Sequence, residues 1–261
     1  MSDDPGAYFI SGAAGLEPVP EARSPWAADM LHGRLLAGLA ARAVEGLDHD
    51  PALRVARLTV DMFRSPPMSA LHVATHVVRG GRRVRVVDVS IRSGDVEVAR
   101  ASALLLRTGV HPDGVMWRAG DWDAPRPETL PAPDDADEDR GWDIRVLTPG
   151  GFWTAERKRI WTRDRWQLVA GEELSPVVRA ALAADLPNPL ANSSTAGLQF
   201  INADLTLVLG RLPTSDWIGL EVSDHVGHDG VAVGSCTMYD TSGAIGWSSV
   251  CAIANTATLA E

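Results

Sequence analysis

One pattern occurs twice in the chain, and this repeat restricts the possible folds more than any other feature. The segments RLTVDMFRSPP (57–67) and DLTLVLGRLPT (204–214) share a Leu-Thr pair followed by Arg-x-Pro. Internal repeats identify units that fold alike, so two copies of one domain are predicted. A single offset of 147 residues relates Leu58 to Leu205, Thr59 to Thr206, Arg64 to Arg211, Pro66 to Pro213, Gly80 to Gly227, Val84 to Val231 and Val86 to Val233.

Each copy reads as a helix followed by several strands. The helices combine apolar residues at helical spacing with an alanine-rich face. The strands are separated by glycine-containing turns such as RGG and SGD, which are typical of hairpins. A helix followed by an antiparallel meander indicates an α+β fold in which the sheet curls around the helix. The predicted helices lie within 24–47 and 175–186, and the predicted strands are 53–63, 70–78, 82–92, 96–107, 201–210, 216–224, 230–239 and 245–254.

The repeat divides the chain into two domains and a linker. Residues 1–110 are predicted to form the first domain and residues 142–261 the second. The acidic, proline-rich segment 111–141 between them has no hydrophobic period, which is typical of a linker. Two interpretations stay open for it: a solvated crossover, or a segment anchored to the sheet by Trp117 and Trp122.

Charge and composition argue against several classes of function. The formal net charge is −10, whereas nucleic-acid binding depends on clustered Lys and Arg, so no nucleic-acid partner is expected. No apolar run approaches the ~20 residues that span a bilayer, and the acidic start MSDDPGAYF lacks the apolar segment of a secretory signal. We therefore expect a cytoplasmic protein with no membrane partner.

The sequence predicts neither a cofactor nor a metal. Its two cysteines, Cys236 and Cys251, do not have metal-ligand spacing. It contains no phosphate-binding glycine loop and no nucleophile elbow.

Three stretches give the chain a family resemblance. They are SPWAADMLHGRLLAGLAARAVE (24–45), WQLVAGEELSPVVRAALAADLPNPL (166–190) and FINADLTLVLGRLPTSDWIGLEV (200–222). Together with the repeat, they resemble the type II acyl-CoA thioesterases, in particular an actinobacterial branch of thioesterase family proteins. The resemblance implies a double hotdog: two tandem helix-plus-antiparallel-sheet repeats packed as a pseudo-dimer with continuous sheets.

The resemblance also implies a catalytic set of Asp204, Thr206 and His225. In such enzymes an Asp, with a Thr or Ser and a Gln, activates water against the thioester carbonyl. Asp204 matches the family Asp within the Asn-x-Asp-Leu-Thr signature that ends at Thr206, and His225 falls near the second polar position by counting from Trp217. A carboxylate within hydrogen-bond reach of water can act as general base. The alternative for Asp204 is a carboxylate that caps a strand edge, and for His225 an exposed loop residue.

The substrate-binding residues implied in the same way are His32, Gly33, Arg34, Asn202 and Cys251. The first three stand at the start of the first helix, where unpaired N–H groups favour a developing oxyanion. Cys251 falls where the family has its Gln, and cysteine is only a weak hydrogen-bond former. Alternatives stay open: His32 as a helix cap, Asn202 as the first residue of a strand, and Cys251 as a small apolar core residue.

One further stretch, DLPNPLANSS (185–194), partly matches the Asp-x-Asn-Pro-x-His signature of hotdog hydratases. It has one extra residue between Asp185 and Asn188, and Ala191 stands where the His belongs. We therefore interpret it as a chance match. Three tryptophans of the second copy are interpreted as packing residues, with the wall of an acyl tunnel as the alternative: Trp153, Trp161 and Trp166.

The function predicted from this resemblance is hydrolysis of an acyl thioester by water activated by Asp204. The partner would be an acyl-CoA or a carrier-bound acyl group, and further assembly into a homo-oligomer is compatible with the sequence. Two alternatives remain. One is a hotdog used in a biosynthetic pathway as dehydratase, isomerase or cyclase on a polyketide-like substrate; the other is a non-catalytic acyl-binding protein.

Overall fold

The computed structural model of the chain describes residues 6–47, 50–118, 122–131 and 141–255. Predictions that concern residues 1–5, and the parts of the predicted linker at 119–121 and 132–140, lie outside the described residues.

Among the described residues, the first half of the chain has a short hairpin followed by one α-helix and four long strands. The N-terminal hairpin was not predicted, whereas the helix and the four strands were. The helix begins at Gly33, so residues 24–32 of the predicted segment are loop. The elements are β1 (Ala7–Gly12), β2 (Gly15–Pro18), α1 (Gly33–Glu45), β3 (Leu53–Met62), β4 (His72–Gly80), β5 (Val84–Ser93) and β6 (Val96–Arg107).

The second half repeats this order with additional short elements. Ser175 caps its main helix by accepting from Val178 N–H at 3.2 Å, and Pro176 occupies the first turn, as both residue types favour. The elements are β7 (Trp142–Val146), β8 (Arg159–Asp164), β9 (Gln167–Val169), α2 (Pro176–Ala183), α3 (Pro187–Ala191), β10 (Ser193–Ser194), β11 (Gly197–Leu198), β12 (Phe200–Asn202), β13 (Asp204–Leu209), β14 (Ile218–His228), β15 (Val231–Asp240) and β16 (Gly243–Ala254).

The long strands of both halves form one antiparallel sheet of 11 strands. The order is β4-β5-β6-β3-β13-β16-β15-β14-β8-β7, and β12 also pairs with β16. Strand β3 of the first half pairs with β13 of the second, so the sheet is continuous across the two copies. The predicted α+β fold with two helix-plus-sheet copies is confirmed.

The repeat observed in the sequence becomes an approximate twofold axis of the structure. Thr59 and Thr206 are 147 residues apart and lie directly opposite each other on β3 and β13, with their Oγ1 atoms 3.1 Å apart. Their neighbours pair in the same symmetrical way, Leu58 with Leu207 and Val60 with Leu205. The axis therefore passes between the two threonines.

The helices pack against one face of this sheet and against each other. In α1 the apolar residues Leu35, Leu36 and Leu39 are fully or almost fully buried. A Cβ on Gly38 would lie 2.7 Å from Cδ2 of Leu182, so the glycine permits the close approach of α1 and α2. The start of each helix consequently lies beside the end of the other, and this geometry positions the candidate site.

The described part of the linker is anchored by one of the two predicted tryptophans. Trp122 stacks on Tyr239 with ring centroids 4.4 Å apart and lies 4.5 Å from the ring of Trp161. Trp117, in contrast, is 89% exposed. None of the helices in the described ranges is long and apolar enough to cross a membrane.

Candidate active site

A cavity of about 670 Å³ lies where the start of α1 meets the end of α2. Its walls come from both copies of the domain, and they combine a group of polar side chains with an aromatic surface. The polar residues are His32, Asp185, Asn188, Gln199 and Asn202, and the aromatic ones are Trp26, Trp142, Phe152 and Trp153.

Asp185 is the buried carboxylate of this cavity. It follows α2 closely and only 7% of its surface is exposed. Its Oδ1 accepts a hydrogen bond from Nδ2 of Asn202 at 2.7 Å. Burial raises the pKa of Asp185 above its usual range, because a charged carboxylate loses its hydration there, and the Asn202 bond opposes this shift.

His32 lies beside this carboxylate and caps α1. Its Nδ1 accepts from the backbone N–H of Arg34 at 3.5 Å and lies 3.8 Å from Oδ2 of Asp185. Burial and the nearby Arg34 charge lower the pKa of His32 to about 3. The imidazole is therefore neutral near pH 7, and its contact with Asp185 is not an ion pair at that pH.

The first residue of α1 leaves space next to the carboxylate. A Cβ on Gly33 would lie 3.7 Å from Oδ2 of Asp185 and 3.3 Å from Sδ of Met62, so a larger side chain would fill this corner. The backbone N–H of Arg34 also interacts with Asp185 and favours its ionised form. The carboxylate thus lies at the positive end of the α1 dipole.

The side chain of Arg34 does not reach this cavity. It is 2% exposed and forms a buried ion pair with Asp164 of β8. Its guanidinium also donates to the hydroxyl of Tyr8 at 3.3 Å and stacks on Trp142, 4.3 Å from the ring centroid. Arg34 therefore joins the two halves and fixes the ring of Trp142, which does line the cavity.

A glycine turn presents two of the aromatic side chains. Gly150 and Gly151 both have positive φ, 82° and 75°, a conformation that glycine adopts without steric cost. The turn brings Phe152 and Trp153 to the cavity. The carbonyl of Phe152 accepts from Oγ of Ser193 at 2.9 Å, which attaches the turn to the region after α3.

Asp204 lies on the opposite face of the sheet. The face that carries the helices is identified by Ser248, which pairs with Leu207 and whose Oγ donates to the carbonyl of Ala184 at 2.6 Å. Residues of a strand alternate between faces, so Asp204 and Thr206 point away from the helices. The Asp204 carboxylate accepts from the backbone N–H of Cys251 at 2.5 Å, and it does not line the cavity.

An extra residue in the strand explains this orientation. Asn202 pairs with Ala252 of β16, but Thr206 pairs with Ser249. Four steps along β12–β13 thus correspond to three along β16, as at a β-bulge. Asn202 and Asp204 would share a face in a regular strand. Because the bulge at Ala203 separates them, Asn202 faces the cavity and Asp204 faces away.

The other predicted residues are distributed between the cavity and the sheet. The structure brings His32, Gly33 and Asn202 together at Asp185, whereas Thr206 lies at the approximate twofold axis. Cys251 is exposed on the outer face beside Asp204. Partial loss of hydration raises the pKa of its thiol, as does the negative charge of Asp204. Its thiol is therefore not activated as a nucleophile.

His225 reaches the cavity only through other side chains. Its Nδ1 lies 2.8 Å from Oδ1 of Asn192, and Nδ2 of Asn192 donates to Oδ1 of Asn188 at 3.1 Å. Asn188 lines the cavity and is 3% exposed. His225 itself is exposed at the end of β14.

Two polar cavity residues that were not predicted lie in the stretch interpreted as a chance match. Asp185 and Asn188 are its first polar residues, and Asp185 directly follows an alanine-rich helix. A carboxylate among so many apolar residues was the available signal, since such groups are rarely buried without a function or a partner. Across the described ranges, no cluster of His, Cys, Asp and Glu could hold a metal ion.

Comparison with known families gives two matches that together cover most of the chain. The family model of the acyl-CoA thioesterase N-terminal domain matches residues 22–106, and that of the acyl-CoA thioesterase C-terminal domain matches residues 122–249. No curated protein sequence matches the chain.

Solved structures show the same fold at low sequence identity. The acyl-CoA thioesterase II TesB2 from Mycobacterium marinum has a TM-score of 0.64 at 19% identity, over 85% of this chain and 89% of that protein. A proposed thioesterase II from Thermobifida fusca has a TM-score of 0.72 at 15% identity, over 97% and 99%. A protein of unknown function with a hot dog fold from Alicyclobacillus acidocaldarius has a TM-score of 0.65 at 12% identity, over 91% and 90%. The predicted double-hotdog architecture is confirmed by these similarities.

Proposed function

Because this chain belongs to the acyl-CoA thioesterase family, we propose that it hydrolyses an acyl thioester in the cavity between α1 and α2. The observation that carries the proposal is the buried carboxylate of Asp185, which lies at the start of α1 and accepts a hydrogen bond from Asn202. We assign the role of general base to Asp185, which lines the cavity, in place of Asp204, which faces away from it.

The environment of Asp185 suits a base. A carboxylate whose pKa is raised by burial binds a proton more strongly than an exposed one, so it removes a proton from water more readily. The Asn202 amide donates a hydrogen bond from Nδ2 to Oδ1 of Asp185, and this bond fixes the carboxylate in one orientation. Oδ2 faces the start of α1 and is the oxygen we assign to the water.

The reaction is an addition followed by an elimination. Asp185 takes a proton from water while the water oxygen forms a bond to the thioester carbonyl carbon. The tetrahedral intermediate then collapses, the C–S bond breaks with its electron pair on sulfur, and the proton returns from Asp185 to the thiolate. The products are a carboxylic acid and a free thiol, and the carboxylate is regenerated.

The start of α1 is the candidate oxyanion site. Helix N-termini present backbone N–H groups without intrahelical acceptors, and Gly33 adds no side-chain atom of its own to the corner next to Oδ2 of Asp185. The neutral ring of His32 adds a hydrogen-bonding group without adding a charge that would neutralise Asp185. Coenzyme A or an acyl carrier protein is the proposed thiol carrier.

The test is thiol release from a panel of acyl-CoA esters by the wild type and by Asp185→Asn and Asp204→Asn. We expect Asp185→Asn to lower kcat/KM by about a hundredfold or more, the scale of a lost general base. Asp204→Asn changes a carboxylate of the same size outside the cavity, so activity should stay within about threefold of the wild type. A large loss in Asp204→Asn with little loss in Asp185→Asn would instead support the assignment first made from the sequence.

A second candidate function is proton transfer on an acyl thioester, as in a dehydratase or isomerase. The observation that favours it is the pair of ionisable side chains, Asp185 and His32, 3.8 Å apart in one cavity. The same acyl-CoA panel, extended to 3-hydroxyacyl and enoyl esters, separates the two reactions. Hydrolysis releases thiol, whereas dehydration changes the ultraviolet absorbance of the acyl group and leaves the thioester intact.

A further inference from the structure

We propose that the substrate of this cavity carries a flat aromatic ring close to its thioester, so that the enzyme acts on aryl or arylalkyl acyl groups in preference to linear alkyl ones. The inference rests on the proposed function, since it names the substrate class of the same site. Its basis is the composition and the rigidity of the cavity walls.

Four aromatic side chains line this cavity. The chain has 9 tryptophans, and Trp26, Trp142 and Trp153 line the cavity together with Phe152. They come from three separate segments: the loop before α1, strand β7, and the glycine turn between β7 and β8. Rings from separate segments that meet at one cavity are not explained by the packing of a single element.

A tryptophan ring beside His32 is held in place. The guanidinium of Arg34 stacks on Trp142, 4.3 Å from the ring centroid, and the ring of His32 lies in edge-to-face geometry with ring centroids 5.9 Å apart. Arg34 is itself fixed by Asp164 and Tyr8. Trp142 therefore adjoins His32, which lies within 3.8 Å of Asp185.

The turn that carries Phe152 is also fixed. Ser193 donates to the carbonyl of Phe152, and the carbonyl of Ser193 accepts from Nζ of Lys158 at 3.0 Å. Lys158 is the only lysine of the sequence and is 6% exposed. The buried Lys158 side chain thus supports Ser193, the residue of β10 to which the aromatic turn is attached.

Fixed rings favour flat ligands over flexible chains. Ring pairs in offset or edge-to-face geometry gain an attraction beyond the burial of apolar area. An alkyl chain gains only the area and loses rotational freedom when it is confined. A volume of about 670 Å³ lies within the range of cavities that hold drug-sized molecules. The polar wall at Asp185 then receives the thioester and the aromatic wall receives the ring.

The experiment compares three acyl-CoA esters of similar length: phenylacetyl-CoA, cyclohexylacetyl-CoA and hexanoyl-CoA. Each kcat/KM is divided by the rate of hydroxide-catalysed hydrolysis of the same ester, which removes differences in intrinsic reactivity. We expect the phenylacetyl ester to exceed both others by about tenfold, the effect of one or two ring contacts. Equal values, or a preference for hexanoyl-CoA, would overturn the inference while leaving hydrolysis established.

Two tryptophan variants locate the preference. Trp153 is 56% exposed in the turn, and Trp247 is 46% exposed on the outer face of β16, so neither replacement should unfold the protein. Trp153→Leu should lower the ratio of the phenylacetyl-CoA to the hexanoyl-CoA kcat/KM by threefold or more. Trp247→Leu, outside the cavity, should leave this ratio and both kcat/KM values unchanged. An unchanged preference in Trp153→Leu and in Phe152→Leu would overturn the assignment to this cavity.

A binding measurement separates this inference from the proposed function. The non-hydrolysable thioethers S-phenethyl-CoA and S-hexyl-CoA are titrated calorimetrically into the wild type and Trp153→Leu. Tighter binding of the phenethyl compound by the wild type, reduced in Trp153→Leu, supports the aromatic site even if no ester of the panel is hydrolysed. Equal affinities for the two thioethers would count against the aromatic site even if all esters of the panel are hydrolysed.

Discussion

The approximate twofold symmetry gives this molecule two places where the start of one helix meets the end of the other. At the first, the cap of α1, His32, lies 3.8 Å from Asp185 after α2. At the second, the cap of α2, Ser175, donates its hydroxyl to Glu45 at the end of α1. The two places share a cap, a carboxylate and a neighbouring cavity, the second cavity measuring about 530 Å³.

The difference between them lies in the surroundings of the carboxylate. Asp185 is buried, and its cavity has aromatic walls. Glu45 is exposed, and its cavity is lined by the ion pair of Arg42 and Glu172, whose atoms are 2.5 Å apart. The symmetry therefore places a carboxylate at two equivalent positions, and the surrounding side chains make them different. Around Asp185 they exclude enough water to raise its pKa, whereas Glu45 lies on a charged surface.

The sharpest test of this comparison replaces each carboxylate by its amide. We expect Asp185→Asn to lower kcat/KM for thioester hydrolysis by about a hundredfold or more, whereas Glu45→Gln should leave it within about twofold. The reason is that Asp185 is enclosed in a cavity and is the proposed base, whereas Glu45 is exposed. Similar losses in the two variants would show that both helix ends take part, and steady-state kinetics with one ester decides the matter.

Each of the two places also has an ion pair between the halves of the chain, and the two ion pairs should differ in their contribution to stability. Arg34 and Asp164 form a buried pair at the start of α1, while Arg42 and Glu172 are partly exposed at its end. Arg34→Met should lower the free energy of unfolding by about 3–5 kcal/mol, because it leaves a buried carboxylate without its partner. Arg42→Met should cost at most about 1 kcal/mol. Urea denaturation measures both.

A double variant distinguishes the ion pair from simple packing. Arg34→Met combined with Asp164→Leu removes both charges and replaces them with apolar side chains, which is often neutral for stability. We expect it to recover a large part of the loss seen in Arg34→Met alone. No recovery would mean that the stacking of Arg34 on Trp142 matters more than its charge.

The fold could be predicted from the sequence because its evidence is periodic and repeated. The offset between Thr59 and Thr206 predicts two copies, and the structure places these residues opposite each other at the symmetry axis. The strand alternation of Leu205 and Leu207 likewise predicts buried positions, and both side chains are fully buried. Signals of this kind accumulate over many residues, so single irregularities do not change the outcome.

The site could be predicted only in part, because it depends on one irregularity that leaves no periodic signal. His32, Gly33 and Asn202 were expected near the substrate and lie around the cavity. Asp204 was expected there too, but the bulge at Ala203 turns it to the other face. An alternating pattern cannot reveal a single inserted residue, and Asp185 becomes a neighbour of His32 only through the packing of α1 on α2.

The hydrogen bond from Asn202 should control the pH dependence of hydrolysis. Asn202 donates to Asp185 and stabilises its ionised form, against the burial that raises its pKa. A base is active when deprotonated, so activity falls as the pH drops through this pKa. Asn202→Ala should therefore move the acidic limb of the kcat/KM profile to higher pH. Asn202→Thr, whose hydroxyl can also donate, should move the acidic limb back toward lower pH. An acidic limb that does not move in Asn202→Ala would contradict the effect of this hydrogen bond on the pKa of Asp185.

The smallest expected effect concerns the acid stability of the same helix end. The pKa of His32 is about 3 in the folded protein, against 6.5 for the free side chain. Between these values the unfolded chain binds a proton that the folded protein does not, so stability is lost as the pH falls. His32→Gln removes this loss. We expect the decrease in Tm between pH 7 and pH 5 to be smaller in His32→Gln than in the wild type.

Asp185 acts in the opposite direction and must be considered in the same experiment. Its pKa is raised in the folded protein, so over its own window the folded state holds the additional proton and stability rises as the pH falls. In the wild type, the contributions of His32 and Asp185 to the pH dependence of stability partly cancel. In His32→Gln, only the contribution of Asp185 remains. His228→Gln, an exposed position at the end of β14, controls for the loss of a histidine as such. If the pH dependence of Tm is equal in the His32 and His228 variants, His32 titrates in the folded protein as it does in the unfolded chain. A neutral imidazole would then no longer distinguish the carboxylate of Asp185 from that of Glu45.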